Sequence, residues 1–158
     1  MIQQQVGDLL EVKEGRRYYY VVVLTKAVLF GGNILFAFHN DGKKRKADGL
    51  SASDSGFNIC ADLLLPKREG RVVRLLNLDD VSGFWRTKFV KGTPEWRAGV
   101  KAAVWFIHKI NRLGGTGTEC RDELSQKHRE AMDSGCHSFD LVAEKVLARY
   151  TPDQNEHL

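Results

Sequence analysis

A chain of 158 residues has the usual size of one domain and can bury about two-thirds of its unfolded surface in a single core, so no disulfide or metal staple is required. With 42% hydrophobic and 28% charged residues it is too apolar and too evenly charged for a disordered segment. The net charge of +4 arises from 24 basic and 20 acidic residues that are interspersed along the chain, which tolerates an acidic partner without demanding one.

From Val6 to about Phe89, runs of β-branched, aromatic and leucine residues are punctuated by glycine, asparagine and aspartate, the pattern of strands joined by hairpins. Five or six strands are predicted: Asp8 to Lys13, Arg17 to Lys26, Asn33 to His39, Phe57 to Leu65, Arg71 to Leu78, and a shorter one through Phe84 to Val90. Turn chemistry falls between them at Glu14-Gly15, Gly31-Gly32, Asn40-Asp41-Gly42 and Lys67-Arg68-Glu69-Gly70, and such short connections imply an antiparallel meander. A meander must close or cover its edges, so residues 1–90 are expected to form a strongly curved sheet or SH3-like half-barrel. The run Tyr18-Tyr19-Tyr20-Val21-Val22-Val23-Leu24 has no polar alternation. Both of its faces should be buried, one of them beneath a helical cover.

The helix signals follow. Thr93-Pro94-Glu95 offers a capping hydroxyl, a first-turn proline and an acid, and Trp96, Val100, Ala103, Ile107 and Ile110 follow at helical spacing, with Trp105 and Phe106 widening the stripe; a helix ending near Gly114-Gly115 is predicted. A second helix is predicted from about Thr118 to Ser134, with Thr116 and Glu119 at capping-box spacing and Gly135 as its stop. A third runs from Ser138 to about Arg149, with Phe139, Val142, Val146 and Tyr150 on one face and Pro152 beyond its end. The chain is thus read as a single α+β domain in which residues 1–90 are strand-rich and 91–152 are helical. Residues 153–158 are expected to form a frayed tail.

Three cysteines, Cys60, Cys120 and Cys136, at unrelated spacings do not make the paired framework of a small secreted domain, and reduced thiols in a cytoplasm are expected. The opening MIQQQVGDLLEV lacks the basic-then-apolar layout of a secretory leader, and no apolar run approaches the ~18 residues of a membrane span. No membrane partner is expected.

The search for catalytic chemistry ends without a motif. Cys120, His128, Cys136 and His137 share one region, but two lie side by side and the others stand far apart, unlike the short knuckles of a closed zinc site. Surface histidines and half-buried cysteines are the plainer account. Cys60 lies in an apolar strand where a thiol is inert, and no G-x-S-x-G elbow is present. Leu113-Gly-Gly-Thr-Gly-Thr118 lacks the lysine of a phosphate loop and follows a predicted helix, so it reads as a helix-to-helix connection. Asp79-Asp80 and Asp122-Glu123 are doublets of the kind that 20 acids supply by chance. The expectation is a protein without cofactor or metal and without enzymatic activity. A pocket holding a histidine and an acid within hydrogen-bond reach would reopen that question.

Two groups are candidates for binding. Lys43, Lys44, Arg45 and Lys46 stand together at a predicted hairpin tip, where they could neutralise phosphates. The plainer account is a solvated loop, because the nearby Phe36 and Phe38 read as core instead of as stacking platforms. Trp85 and Trp96 flank the sheet-to-helix seam with Arg86, Lys88, Lys91 and Arg97 around them, a combination favoured in protein interfaces. Gluing helix to sheet is the competing role for both tryptophans.

The segment Val6-Gly7-Asp8-Leu9-Leu10-Glu11-Val12, followed by Gly15-Arg16-Arg17-Tyr18-Tyr19-Tyr20-Val21-Val22-Val23, resembles the start of the small barrel-like immunity proteins of bacterial polymorphic toxin systems, immunity family twenty-six. There a Gly-Asp-hydrophobic first strand leads into an aromatic second strand. The resemblance covers about the first forty residues and transfers no individual site residue. It implies a cytoplasmic protein that binds one cognate toxin or effector domain and occludes its active site without chemistry of its own. The partner-binding residues expected from the sequence are therefore Lys43, Lys44, Arg45, Lys46, Trp85, Arg86, Lys88, Trp96 and Arg97, with a nucleic-acid-binding barrel using the basic loop as the alternative.

Overall fold

In the computed structural model the described residues are 3–27, 31–110 and 116–158. The apolar runs of the first half pair as the turn residues direct. Strand β1 (Asp8–Glu14) turns through Gly15, at φ 59°, into β2 (Arg17–Ala27), and β3 (Gly32–Phe38), β4 (Gly56–Ala61) and β5 (Val72–Asn77) complete one sheet. Its order is β4-β3-β2-β1-β5, and every pairing is antiparallel. The sheet therefore has two edges, and β4 is met along its own by the segment around His137 through a parallel bridge with Ala61.

β2 explains how the rest of the chain is organised. Residues Tyr19 to Leu24 are all buried, and because side chains alternate across a strand they feed two different cores. Tyr19, Val21 and Val23 join Leu10, Val12, Leu35, Phe57 and Ile59 against Phe139, Val142, Ala143 and Val146. Tyr20, Val22 and Leu24 join Leu9, Ile34, Phe36 and Phe38 against Phe84, Val90, Ile110 and Met132. The predicted burial of both faces holds, but only one face is covered by a helix.

The other cover is a second sheet, and here two predicted helices are corrected. Residues 93–110 do not form a helix: β6 (Phe89–Gly92) is followed by an irregular segment and by β7 (Trp105–Lys109). Trp105 and Ile107 are buried while Phe106 and His108 are half-buried, a two-residue period that five residues carry weakly in sequence. Thr93 does accept the Glu95 amide in a local cap, at 3.1 Å, yet Gly99 at φ 71° turns the chain away from helical geometry. The expected end of that helix, at Gly114-Gly115, lies outside the described residues. The predicted helix 118–134 is mostly replaced as well, by β8 (Thr116–Arg121), a single turn α2 (Gln126–Arg129) and the short β9 (Met132–Asp133). The sheet order is β8-β7-β6-β9, with β9 parallel to β6.

The third predicted helix is present as α3 (Phe139–Leu147). The strand predicted over Phe57 to Leu65 stops at Ala61, where the Asp62 carboxylate accepts the Leu64 amide at 2.7 Å and starts a short helix, α1 (Leu64–Arg68). Of Phe84 to Val90, only the end is strand, because Ser82–Phe84 is a 3-10 turn. The tail is not frayed. Thr151 and Gln154 cap a turn reciprocally, and the Ala102 amide donates to the His157 carbonyl at 2.9 Å. The architecture is mixed α+β, two sheets with α3 on the outer face of the first.

Candidate functional site

At the junction of β6, β9, α3 and the tail lies a buried polar cluster. Lys91, on β6, is 1% exposed. Its ammonium donates to the carbonyls of Arg129, Ala131 and Pro152 at 2.9, 2.6 and 2.7 Å and stands 3.1 Å from Asp133 Oδ1. Burial lowers the Lys91 pKa while Asp133 opposes that shift. Asp133 Oδ1 also accepts the Asn155 amide at 2.8 Å, and Oδ2 accepts the Tyr150 hydroxyl and lies 3.7 Å from Lys145 Nζ. Burial pushes the Asp133 carboxyl up, but Lys91, Tyr150 and Asn155 outweigh it and hold the group below the usual carboxylate range. Burial, and then Asp133, raise the Tyr150 hydroxyl in turn.

All three protons of Lys91 have carbonyl acceptors, so its ammonium is fully engaged, while each oxygen of Asp133 accepts one donor, from Asn155 and from Tyr150. The cluster joins four segments of chain. His39 adds another tie, with Nε2 2.8 Å from the Tyr150 carbonyl and Nδ1 2.5 Å from Ser55 Oγ. A carbonyl only accepts, so Nε2 carries the proton and Nδ1 receives the serine hydroxyl. Burial lowers the His39 pKa.

The cluster borders a cleft of about 450 Å3, lined by Lys91, Asp133 and Tyr150 together with Glu95, His137 and Lys145 among others. His137 Nε2 is buried there without a hydrogen-bond partner among the described residues. Burial, then Lys145, lowers the pKa of its ring. Sequence reasoning does not assemble this cleft, because Asp133 falls inside a predicted helix and Lys91 and His137, each singled out for other reasons, are brought together only by the fold.

The residues predicted from sequence to bind a partner fall into three places. In the basic loop, Asn40 Nδ2 holds the backbone by donating to Tyr18 O at 2.7 Å and Lys43 O at 3.0 Å. Arg45 is drawn inward: its amide donates to the Tyr20 hydroxyl at 2.7 Å, and its guanidinium donates to Gly49 O at 2.7 Å and lies 3.4 Å from Asp54. Lys43 pairs with Asp41 at 3.1 Å, and Lys44 lies 5.2 Å from the ring centre of Tyr18. Lys43, Lys44 and Lys46 are exposed.

Trp85, Arg86 and Lys88 form a second group. Arg86 donates to the carbonyls of Gly83, Ala52 and Asp54 at 2.7, 2.7 and 3.0 Å, with its guanidinium 4.5 Å above the Phe36 ring centre. Trp85 is half-buried beneath the Lys88 ammonium, 3.7 Å from its ring. Asp54 links this group to the basic loop, since Arg45 and Arg86 both reach it.

Trp96 and Arg97 stand apart from both. Trp96 is 84% exposed, and Arg97 grips Glu95 through Nε and Nη2 at 3.1 Å each. That pairing holds the Glu95 carboxyl down to about 2. The loop presenting Trp96 is fastened at its base, where the Gly99 amide donates to Glu156 at 3.0 Å and His157 Nδ1 approaches Val100 O at 2.8 Å. Trp96, Ala103 and Val104 line a shallow cavity of about 320 Å3, separate from the one beside Trp85. Among the described residues no group of three or more His, Cys, Asp or Glu side chains is placed to hold a metal ion, and no helix is long and apolar enough to cross a membrane. No family model, no curated protein and no solved structure matches the chain.

Proposed function

We propose that this chain is a non-enzymatic binding protein of the immunity type, which docks on a cognate toxin or effector domain in the cytoplasm and occludes its active site. The observation that carries the reading is Trp96, an indole 84% exposed on a loop fastened at its base by Glu156 and His157. Leaving so large an apolar ring in water forfeits about 2 kcal/mol or more of burial, and tryptophan and arginine are both enriched at interface hot spots. The bidentate Arg97–Glu95 pair and the exposed Val104 supply a polar rim and an apolar neighbour. In this reading the five-stranded sheet plays the part of the SH3-like half-barrel of such proteins, a rigid platform from which the loops project.

Co-expression with the product of the adjacent gene tests the proposal. A stable complex and protection of the host cell support it, and weakening of both by Trp96→Ala assigns the anchor. Neither complex nor protection with the wild-type chain would sink it.

A second reading is favoured by one surface. Tyr18 is half-exposed and is flanked by Lys44 and Lys13, 5.2 and 5.9 Å from its ring centre, so an aromatic platform does stand beside the basic loop, as single-stranded nucleic acid requires. It predicts an affinity for oligonucleotides that falls steeply with salt and collapses when Lys43, Lys44 and Lys46 are replaced by alanine.

A further inference from the structure

We propose that Cys60 and Cys136 form a redox-active dithiol that closes to a disulfide on reaction with a small-molecule disulfide such as oxidised glutathione. The geometry starts from the backbone. The His137 amide donates to the Cys60 carbonyl at 2.9 Å and the Asp62 amide to the His137 carbonyl at 3.0 Å, making a parallel bridge between Ala61 and His137. In parallel register directly opposed residues point to the same face, at a Cα separation of roughly 5 Å, inside the roughly 4.4–6.8 Å that a disulfide spans. One step back along both strands, Cys60 stands opposite Cys136.

The side chains meet accordingly. The Cys60 thiol donates a hydrogen bond to Cys136 Sγ; burial, and then Cys136, raise the Cys60 pKa, and burial raises that of Cys136 too, against the hydrogen bond from Cys60 that opposes it. Space for the pair is provided by the neighbouring strand. A Cβ at Gly32 would stand 2.5 Å from Cys136 Sγ and 2.8 Å from Ala61 O, so only glycine leaves room for the sulfur there.

The two thiols divide the reaction. Cys136 is exposed and Cys60 buried, and burial pushes the Cys60 thiol up to about 12, so the incoming disulfide meets Cys136 first. Cys136 sulfur bonds to one sulfur of the oxidant, losing its proton and expelling one thiol. Cys60 sulfur then bonds to Cys136 sulfur, losing its proton and expelling the second thiol. Two protein thiols are oxidised and one small disulfide is reduced to two thiols. The product ties β4 to the segment that leads from β9 into α3, two parts far apart in sequence.

The test uses the full chain in excess oxidised glutathione at mildly alkaline pH, followed by alkylation, proteolysis and mass spectrometry. The expected product is a Cys60–Cys136 linked peptide lacking two hydrogens, formed equally in Cys120→Ser and absent in Cys136→Ser. The melting temperature should rise by several degrees in the oxidised wild type and return on reduction, with no such rise in Cys136→Ser. A glutathione adduct that persists on Cys136 while Cys60 remains a free thiol, a link from Cys136 to Cys120, or modification of Cys120 alone would overturn the proposal.

Discussion

The ammonium of Lys91 lies 3.1 Å from the carboxylate of Asp133 with its side chain wholly enclosed. Truncating one partner of such a pair leaves the other charged and unpaired in the interior. Lys91→Met also orphans the carbonyls of Arg129, Ala131 and Pro152. We expect it to destabilise the fold by about 3–5 kcal/mol, read as a lower urea midpoint at unchanged slope. A midpoint within error of wild type would show that water already reaches the cluster.

Acid should weaken the protein in two stages. His39 and His137 have lowered pKa values, set first by burial, so below their ordinary value of about 6.5 the unfolded chain takes up protons that the folded one refuses, and stability falls. Asp133 is also held low, by Lys91, Tyr150 and Asn155 against the burial that raises it. Its contribution is complete above the usual carboxylate range near 4 and disappears as the pH drops through its lowered value. Urea midpoints measured from pH 8 to pH 3 should show both declines. His39→Gln, whose amide can still donate to the Tyr150 carbonyl, should shrink only the upper one.

Trp96→Ala should leave stability within about 0.5 kcal/mol of wild type, as for an exposed side chain, while weakening partner binding by about 2 kcal/mol or more, roughly thirtyfold. Calorimetry of the complex beside thermal melts of the free chain separates the two. Loss of stability without loss of binding would assign Trp96 to the fold.

The basic loop should split under alanine substitution. Arg45→Ala removes the bonds to Gly49 and Asp54 and should cost about 1 kcal/mol of stability. Lys46→Ala should cost nothing measurable in the fold but should slow association with an acidic partner, most at low salt. Stopped-flow rates at two ionic strengths check this.

Gly7→Ala should be among the most damaging single changes. Gly7 sits at φ 92°, and an added Cβ would collide with the Leu78 carbonyl, whose own amide donates to Gly7 O at 2.8 Å. A loss above about 2 kcal/mol is expected, measurable by thermal unfolding.

The first sheet was legible because its signals are local. Gly15 marks a turn, and the unbroken run Tyr18 to Leu24 announces two buried faces. α3 was legible because Phe139, Val142 and Val146 share one helical face, all buried. β7 was not, since its five residues were outweighed by a cap at Thr93 that does form but has no helix to begin. The Lys91–Asp133 site could not be read at all. It exists only because β6 and β9 run side by side, a tertiary fact with no periodic trace in sequence. Trp96 and Arg97 stand out in the sequence by residue type alone, and their separation from Trp85 is a property of the fold.

The parallel junction of β6 and β9 also bears on the order in which the molecule assembles. In the first sheet β1, β2 and β3 pair with their chain neighbours, whereas β5 must return to β1 from beyond β4 and Lys91 cannot reach Ala131 until a stretch spanning 40 positions has closed; closing long loops before any contact rewards it is slow. The loop that displays Trp96 takes its footing from Glu156 and His157, 57 positions away, and so is fixed after the β1–β2–β3 pairings.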